Sequence, residues 1–236
     1  MRRIILIAIT WAATVTGCDR FPDLSVQVTA NLDPGTQCQV TADQDQILLR
    51  GVYDLARYDV VPFSYIINPR IESYIFNNAL EFQGAQGNLQ ITDFDITLKL
   101  PDGTVPDFGE SLPNPYKETT SAVIPPSNAI NGVSRGTASA IGVPASYIAP
   151  IFNAAVDAGF DSFIIDIRAN GTTSGGFSQQ SPTFSWPISF CSGCMGVECD
   201  PPLEVGDPQD GQSCLPGQDG YQWCSSIAEE DTGTTN

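Results

Sequence analysis

The residues best equipped for chemistry in this chain are its cysteines. Cys38, Cys191, Cys194, Cys199, Cys214 and Cys224 form one set, and a seventh, Cys18, stands apart near the N-terminus. The spacing Cys191-x2-Cys194-x4-Cys199 suits three chemistries: a zinc knuckle, a redox C-x-x-C pair, or structural disulfides. The chain has no histidine, which removes the commonest partner of cysteine at zinc. A redox pair belongs at a helix N-terminus in a βαβ setting, whereas this one follows a strand-like run over residues 183–190. Disulfides are therefore the expected state of all six, with no metal ligand assigned. Six cysteines allow fifteen connectivities. Cys38 must reach across to the C-terminal cluster, because every other candidate lies there. Cys191 or Cys194 is its expected partner, since Cys191 directly follows the last strand of the domain.

The absence of histidine also removes Ser-His-Asp and Cys-His catalysis and the usual general base near neutral pH. Carboxylate pairs are the remaining acid–base candidates. Asp93 and Asp95 share a strand face only if no bulge comes between them, while Asp161 and Asp166 fall on opposite faces. No G-x-S-x-G elbow, P-loop or G-x-G-x-x-G fingerprint is present. Asp43-Gln44-Asp45 and Asp207-Pro208-Gln209-Asp210-Gly211 cluster oxygens without EF-hand spacing. Asn170-Gly171-Thr172 matches a glycosylation sequon and reads as a turn. The aromatic residues Tyr147, Phe152, Tyr221 and Trp223 serve a β core more readily than a binding surface. A non-enzyme without a cofactor is the expectation.

Residues 1–17 form a secretory signal layout. Arg2 and Arg3 make a short positive region, Ile4 to Val15 is mostly apolar, and Val15-Thr16-Gly17 places small residues ahead of Cys18. The apolar run is shorter than the ~20 residues that a spanning helix needs. Val15 to Cys18 resembles the lipobox of bacterial lipoproteins. That resemblance implies a covalent lipid (diacylglycerol with an acyl group such as palmitate) on Cys18 as the mature N-terminus. Acylation of Cys18 also resolves the odd cysteine count, leaving six to pair. Together with Cys191-x2-Cys194 and Cys214-Leu-Pro-Gly-Gln-Asp-Gly downstream, the motif resembles Gram-negative envelope lipoproteins that join a β domain to a cysteine-rich C-terminal end. The resemblance implies attachment to the outer membrane or to the periplasmic face of the inner membrane. Asp19 resembles the inner-membrane retention signal of enterobacterial lipoproteins.

The 236 residues carry 10 Lys+Arg against 27 Asp+Glu, a net charge of −17. Such a surface repels nucleic acid and anionic head groups, so no nucleic-acid partner is expected and membrane attachment must come from lipid. Hydrophobic content of 42% is enough to build a core.

Several elements would position these residues. Residues 18–23 read as a lipidated tether, and 24–32 alternate apolar and polar as a half-buried strand. Further strands are expected at 46–55, 60–67, 89–100, 119–124, 132–140, 161–169 and 183–190. Residues 68–87 admit a short helix or a strand with long loops. A change of phase between Ile91 and Phe94 predicts a β-bulge near Thr92-Asp93. Residues 101–118, with four prolines, read as an irregular loop, and 171–176 as a turn. Residues 145–158 form the one expected helix, stopped by Gly159, with Pro150 as a kink or its true start. The expected fold is all-β: an immunoglobulin-like β-sandwich over 24–190, a small disulfide-rich C-terminal appendix over 191–224 and a disordered tail over 225–236. A membrane-anchored binding or structural protein with an envelope protein or glycan partner is the leading functional expectation. The alternatives are a hydrolase using carboxylates or a metal, or an accessory subunit of a periplasmic assembly.

Overall fold

Alternating apolar residues dictate most of the architecture. A computed structural model describes residues 25–35, 38–60, 62–75, 87–127, 132–197 and 214–224. Cys18 and the tether, Cys199, the Asp207–Gly211 acids and the 225–236 tail lie outside these residues. In chain order the elements are β1 (Val26–Leu32), β2 (Ile47–Leu48), β3 (Gly51–Asp54), α1 (Leu55–Val60), β4 (Tyr65–Ile67) and β5 (Pro69–Ser73). Then come β6 (Leu89–Lys99), β7 (Tyr116–Ile124), β8 (Ser134–Thr137), β9 (Ala140–Val143), α2 (Ala145–Asp157) and β10 (Ser162–Thr173). The last are β11 (Ser178–Gln180), β12 (Phe184–Cys191), β13 (Gly196–Val197) and β14 (Trp223–Cys224).

The fold is all-β, with two curled main sheets. One runs β2-β1-β5-β8, and the larger runs β3-β12-β10-β6-β7 with β11 extending beside β10. Pairing in both is antiparallel except at β3–β12, which is parallel. Separate ribbons are formed by β4 with β9 and by β13 with β14. Val26 and Val28 of β1 and Ile71 of β5 share one core with Phe94, Ile96 and Leu98 of β6, Phe163 and Ile165 of β10, and Trp186 and Ile188 of β12. Removing these side chains from water is the main favourable contribution to the fold.

The phase change in β6 is a bulge, as the alternation predicts. Ile91 lies opposite Gly171 and Asp93 opposite Asn170, which leaves Thr92 as the extra residue. Gly171 is therefore inside β10 and not in a turn. A Cβ on it would lie 2.5 Å from the Gln90 carbonyl oxygen, so only glycine fits there. The turn of this hairpin falls later, with Gly176 donating its N–H to the Thr173 carbonyl.

Other expectations need correcting. Among the described residues there are two helices, not one. The strand expected at 46–55 breaks after Leu48, and the strand expected at 60–67 keeps only Tyr65–Ile67, because α1 occupies the space between them. Asp54 Oδ1 accepts the Ala56 N–H at 3.0 Å, a capping bond that starts a helix where apolar alternation alone suggested strand. α2 runs from Ala145 through Pro150 and buries Tyr147, Ile148, Ile151 and Ala155. It ends ahead of Gly159, as expected. The residues 68–87 include strand β5, and β7 begins at Tyr116, inside the stretch read as a loop. The strand expected over 132–140 divides into β8, on the smaller sheet, and β9, on the ribbon with β4.

The described part of the C-terminal unit is not an appendix beside the domain. Residues 217–219 run along the free edge of β3. Asp54 donates its N–H to Gly217 O at 2.9 Å, and Asp219 donates its N–H to Val52 O at 3.0 Å. Gln218 between them is fully buried. The reason is the covalent bond Cys38–Cys214, with Cα atoms 5.0 Å apart, which draws this segment onto the sheet. Cys38 thus pairs with Cys214 and not with Cys191 or Cys194, which bond to each other.

Candidate functional site

Period-two alternation aims two sets of side chains from the larger sheet. Phe94, Ile96 and Leu98 of β6 and Ile165, Ile167 and Ala169 of β10 point into the core. Asp93, Asp95, Thr97 and Lys99 on one strand and Asp166, Arg168 and Asn170 on the next take the other face. The bulge at Thr92 precedes both acids, so Asp93 and Asp95 share that face.

Lys117 of β7 reaches both acids, with its Nζ 2.5 Å from Asp93 and 3.0 Å from Asp95. Asn170 donates from Nδ2 to Asp93 at 2.7 Å and to Asp95 at 2.9 Å. Gln180 extends the network, donating to Asn170 Oδ1 at 2.9 Å and to Asp95 at 3.2 Å. Asn170 is therefore tied into a strand network. Alongside, Lys99 pairs with Asp166, Ser185 donates to Asp166 at 2.6 Å, and Arg168 Nε donates to Thr183 at 2.8 Å. Asp95, Lys99, Lys117, Asp166, Arg168 and Thr183 line an open groove of ≈ 480 Å³.

Burial alone would raise Asp93, but the hydrogen bonds from Lys117, Thr92 and Asn170 outweigh it and hold its carboxyl below the usual range. Asp95 has the same balance, with Asn170 and Lys117 overriding burial. Lys117 is raised by its bonds to both acids. A glycosidase pair needs one carboxylic acid held above its ordinary value. Both members here move the other way.

The C-terminal clasp holds a second group of residues. Gln218 mimics a neighbouring strand: its Oε1 accepts the Ile66 N–H at 2.8 Å and its Nε2 donates to the Ile66 carbonyl at 2.5 Å. Asp219 accepts from the Val52 N–H at 2.9 Å, the Tyr65 hydroxyl at 2.7 Å and Gln218 Nε2 at 2.9 Å. Trp186 Nε1 donates to the Tyr65 hydroxyl at 3.1 Å, linking the core to the carboxylate. Gly51 makes the room, since a Cβ there would meet the Tyr65 hydroxyl and lie 2.9 Å from Trp186 Nε1. Burial pushes Asp219 up to about 6, against the bonds from Gln218, Tyr65 and Val52 and helped by the charge of Asp33. Burial also raises Tyr65. Asp219, Asp33, Gly35, Gln46 and Tyr221 line a cavity of ≈ 620 Å³, where the Tyr221 hydroxyl donates to Asp33.

The Cys191–Cys194 loop encloses the third group. Asp54 is fully buried, and its carboxylate accepts the N–H of Gly193 at 2.7 Å and of Met195 at 2.9 Å. A carboxylate oxygen of Asp54 and the two sulfurs lie within 4.8 Å of one another. These are the residues that could hold a metal were the disulfide reduced. In the disulfide form the sulfurs are bonded to each other and the carboxylate serves backbone N–H groups.

The remaining candidates separate. Asp43 and Asp45 are exposed. Tyr147 packs against Tyr116 and Phe108, Phe152 meets Phe190 edge-on, and Tyr221 serves the clasp. Of Cys224 and Trp223 the backbone alone is described, paired with Val197 and Gly196. Sequence reasoning missed Asp33, Asp54, Gln218 and Asp219. The visible signal was Gly217-Gln218-Asp219-Gly220, two polar residues between glycines just after a cysteine, which marks a tight excursion. It says nothing of what the excursion meets. Comparison with protein-family models and with curated proteins finds no match to this chain.

Proposed function

We propose that this protein is an envelope lipoprotein, acylated at Cys18, whose immunoglobulin-like β domain is a non-catalytic binding module for a polar partner, protein or glycan. The observation that carries the reading is the outer face of the larger sheet. There Lys117, Asn170 and Gln180 hold Asp93 and Asp95 ionised in a fixed array beside Lys99, Asp166 and Arg168. Preorganised donors and acceptors along an open groove favour recognition, and the direction of both carboxyl shifts disfavours acid catalysis. The two disulfides agree with an exported, oxidising location. Two antiparallel-rich sheets around one core support the immunoglobulin-like plan.

A pull-down from native envelope tests it, using lipidated protein and a Lys117→Glu/Arg168→Glu bait in parallel. The parent should recover a partner that the charge-reversed bait loses. Identical recovery by both baits would remove the face from the reading. The anchor has its own test: Cys18→Ala should move the protein from the membrane fraction to the soluble one, because a strongly acidic domain gains no electrostatic attachment to anionic head groups in place of the lipid. Retention of that variant on membranes at high salt would refute acylation as the anchor.

Asp219 favours one second reading, a hydrolase. At about 6 it is poised for acid–base work near neutral pH, and Asp33 shares its cavity. Three donors already occupy its oxygens, so this reading ranks second. Hydrolysis of a glycoside or peptide panel, abolished by Asp219→Asn with the fold intact, would promote it.

A further inference from the structure

We infer that the end of the β domain carrying Tyr74, Val123, Val133 and Phe177 lies against the outer part of the lipid bilayer, giving the lipoprotein a fixed orientation. The inference rests on the lipid anchor proposed above and adds to it a contact made by the domain itself. These four side chains are 40%, 59%, 39% and 50% exposed, and they are half of the large apolar residues exposed among the described residues. They come from four separate strand ends, yet the registers bring them to one place. Tyr74 donates its N–H to Ser25 O at 2.8 Å. Val133 precedes Ser134, which pairs with Ser73, itself paired with Val26. Val123 precedes Ile124, which pairs with Leu89, and Leu89 pairs with Thr173 at the β10–β11 hairpin that carries Phe177. Ser25 donates to Gln179 in that same hairpin.

Ser25 is also where the described chain begins. Six residues lie between it and Cys18, so the seven chain steps reach at most about 25 Å when fully extended. A lipid on Cys18 therefore holds Ser25 within that reach of the membrane and favours contact by this end, with the opposite end of β1 about 20 Å further along the strand. Ile47 of β2 pairs with Leu32 at the far end of β1, and the exposed Leu49 follows β2 directly.

Charge supports the same orientation. The chain is strongly acidic, but on the strands that end here Glu72 is the only carboxylate near the rim among the described residues. Arg135 Nε donates to Glu72 at 3.2 Å, and the Tyr74 hydroxyl donates to it at 3.0 Å. The next acid in from Leu89 is Asp93, four residues along β6 and about 13 Å away at the usual strand rise. Among the described residues this end carries no uncompensated carboxylate, and a phenol, a phenyl ring and two valines match the interfacial zone of a bilayer, where aromatic side chains settle. The contact is small, but a tether raises its effective concentration enough for a weak preference to set orientation.

Lipidated protein in phosphatidylcholine vesicles with brominated acyl chains tests this. Phe177→Trp should be quenched about twofold beyond the parent protein, whereas Leu49→Trp at the opposite end should match the parent. Adding Val133→Asp to Phe177→Trp should restore most of the emission. Equal quenching at both positions, or none at 177, overturns the orientation. Intact mass of the same sample separates the two proposals, because a missing acyl group on Cys18 defeats the anchor alone. In that event unlipidated Phe177→Trp is mixed with the same vesicles at high lipid: quenching there upholds the apolar end as a bilayer contact, and its absence overturns it.

Discussion

Two regions of this molecule use the same chemical groups and reach opposite electrostatic states. On the outer face of the larger sheet, Asp93 meets a carboxamide, Asn170, and a cation, Lys117. In the clasp, Asp219 also meets a carboxamide, Gln218, but its other donors are a backbone N–H and a phenol, and the nearby charge is that of Asp33. Asp93 is held below its ordinary range and Asp219 is pushed up to about 6. A carboxylate at a strand surface keeps a cation and water within reach. One tucked under a crossing segment exchanges water for a few fixed dipoles, which compensate less. The face thus keeps its charges paired and near solvent, as the binding role proposed above requires. The clasp is organised to hold the chain together, and its loss should cost more.

The largest effect is expected from Cys38→Ser. The bond to Cys214 closes a sequence separation of 176 residues, worth on the order of 4–5 kcal/mol in the chain-entropy model before strain. Chemical denaturation should show a loss of about 2–5 kcal/mol, the usual range for a native disulfide. Non-reducing peptide maps of the parent should return Cys38–Cys214 and Cys191–Cys194. They should also return Cys199 joined to Cys224, since these two complete the set of six and β13, just before Cys199, pairs with β14. A map joining Cys38 to any other cysteine would break the comparison at its root.

Gln218→Ala comes next. It leaves the N–H and carbonyl of Ile66 without their partner in a buried place. Two unpaired groups at 1–3 kcal/mol each give a loss of about 3 kcal/mol. Gln218→Glu should be nearly as damaging, because it keeps the acceptor for Ile66 N–H but removes the donor to Ile66 O. A loss within 0.5 kcal/mol, of the order seen for substitutions at open surfaces, would mean water replaces the side chain and the clasp is not buried in solution.

What was legible in the sequence follows the same division. The alternation on β6 was readable because its logic is local: Phe94, Ile96 and Leu98 alternate with Asp93, Asp95 and Thr97, and the slip in phase placed the bulge near Thr92-Asp93, though Asn170, read as part of a turn, lies in β10. The clasp was not, because its contacts join residues far apart. Gln218 meets Ile66 across 152 positions, and neither segment has a periodicity that names the other. Cysteine arithmetic went partway. It required Cys38 to cross to the C-terminal cluster, yet position in the last strand favoured Cys191 or Cys194. Asp54 explains the miss, since it gathers the Gly193 and Met195 N–H groups and folds that loop onto itself. The six-residue helix α1 was hidden for a similar reason, being set by a cap at Asp54 within an apolar run.

Asp219 sharpens the comparison through pH. Its folded value, about 6, lies above the ordinary 3.8, so between these values the folded protein holds more protons than the unfolded chain. Its contribution is therefore fully present below about pH 4 and is lost as pH rises through 6. The shift corresponds to about 3 kcal/mol. Asp219→Asn should flatten this part of the stability curve, at the cost of one hydrogen bond, because the new amide faces Gln218 Nε2. A variant with the parent's slope between pH 4 and 6 would show that Asp219 is solvated.

The smallest effect belongs to Lys117→Met. Its side chain is 57% exposed, and ion pairs in that setting contribute below about 1 kcal/mol, less in high salt. The pH dependence should have the opposite sign to that of Asp219. Asp93 and Asp95 are held low, so their contribution is present above the ordinary carboxylate range and lost as pH falls through their folded values. Removing Lys117 should lower stability at pH 7, have an effect that fades as pH falls through the folded values of the two acids, and move the acid unfolding midpoint upward. Under the binding role proposed above, recovery of the partner should respond strongly, because the two acids lose the cation that fixes their geometry. If Lys117→Met instead destabilised the fold more than Gln218→Ala does, the roles of the two regions would be reversed. The charged face would then be a structural seam, and the search for a partner would move to the clasp cavity around Asp33 and Tyr221.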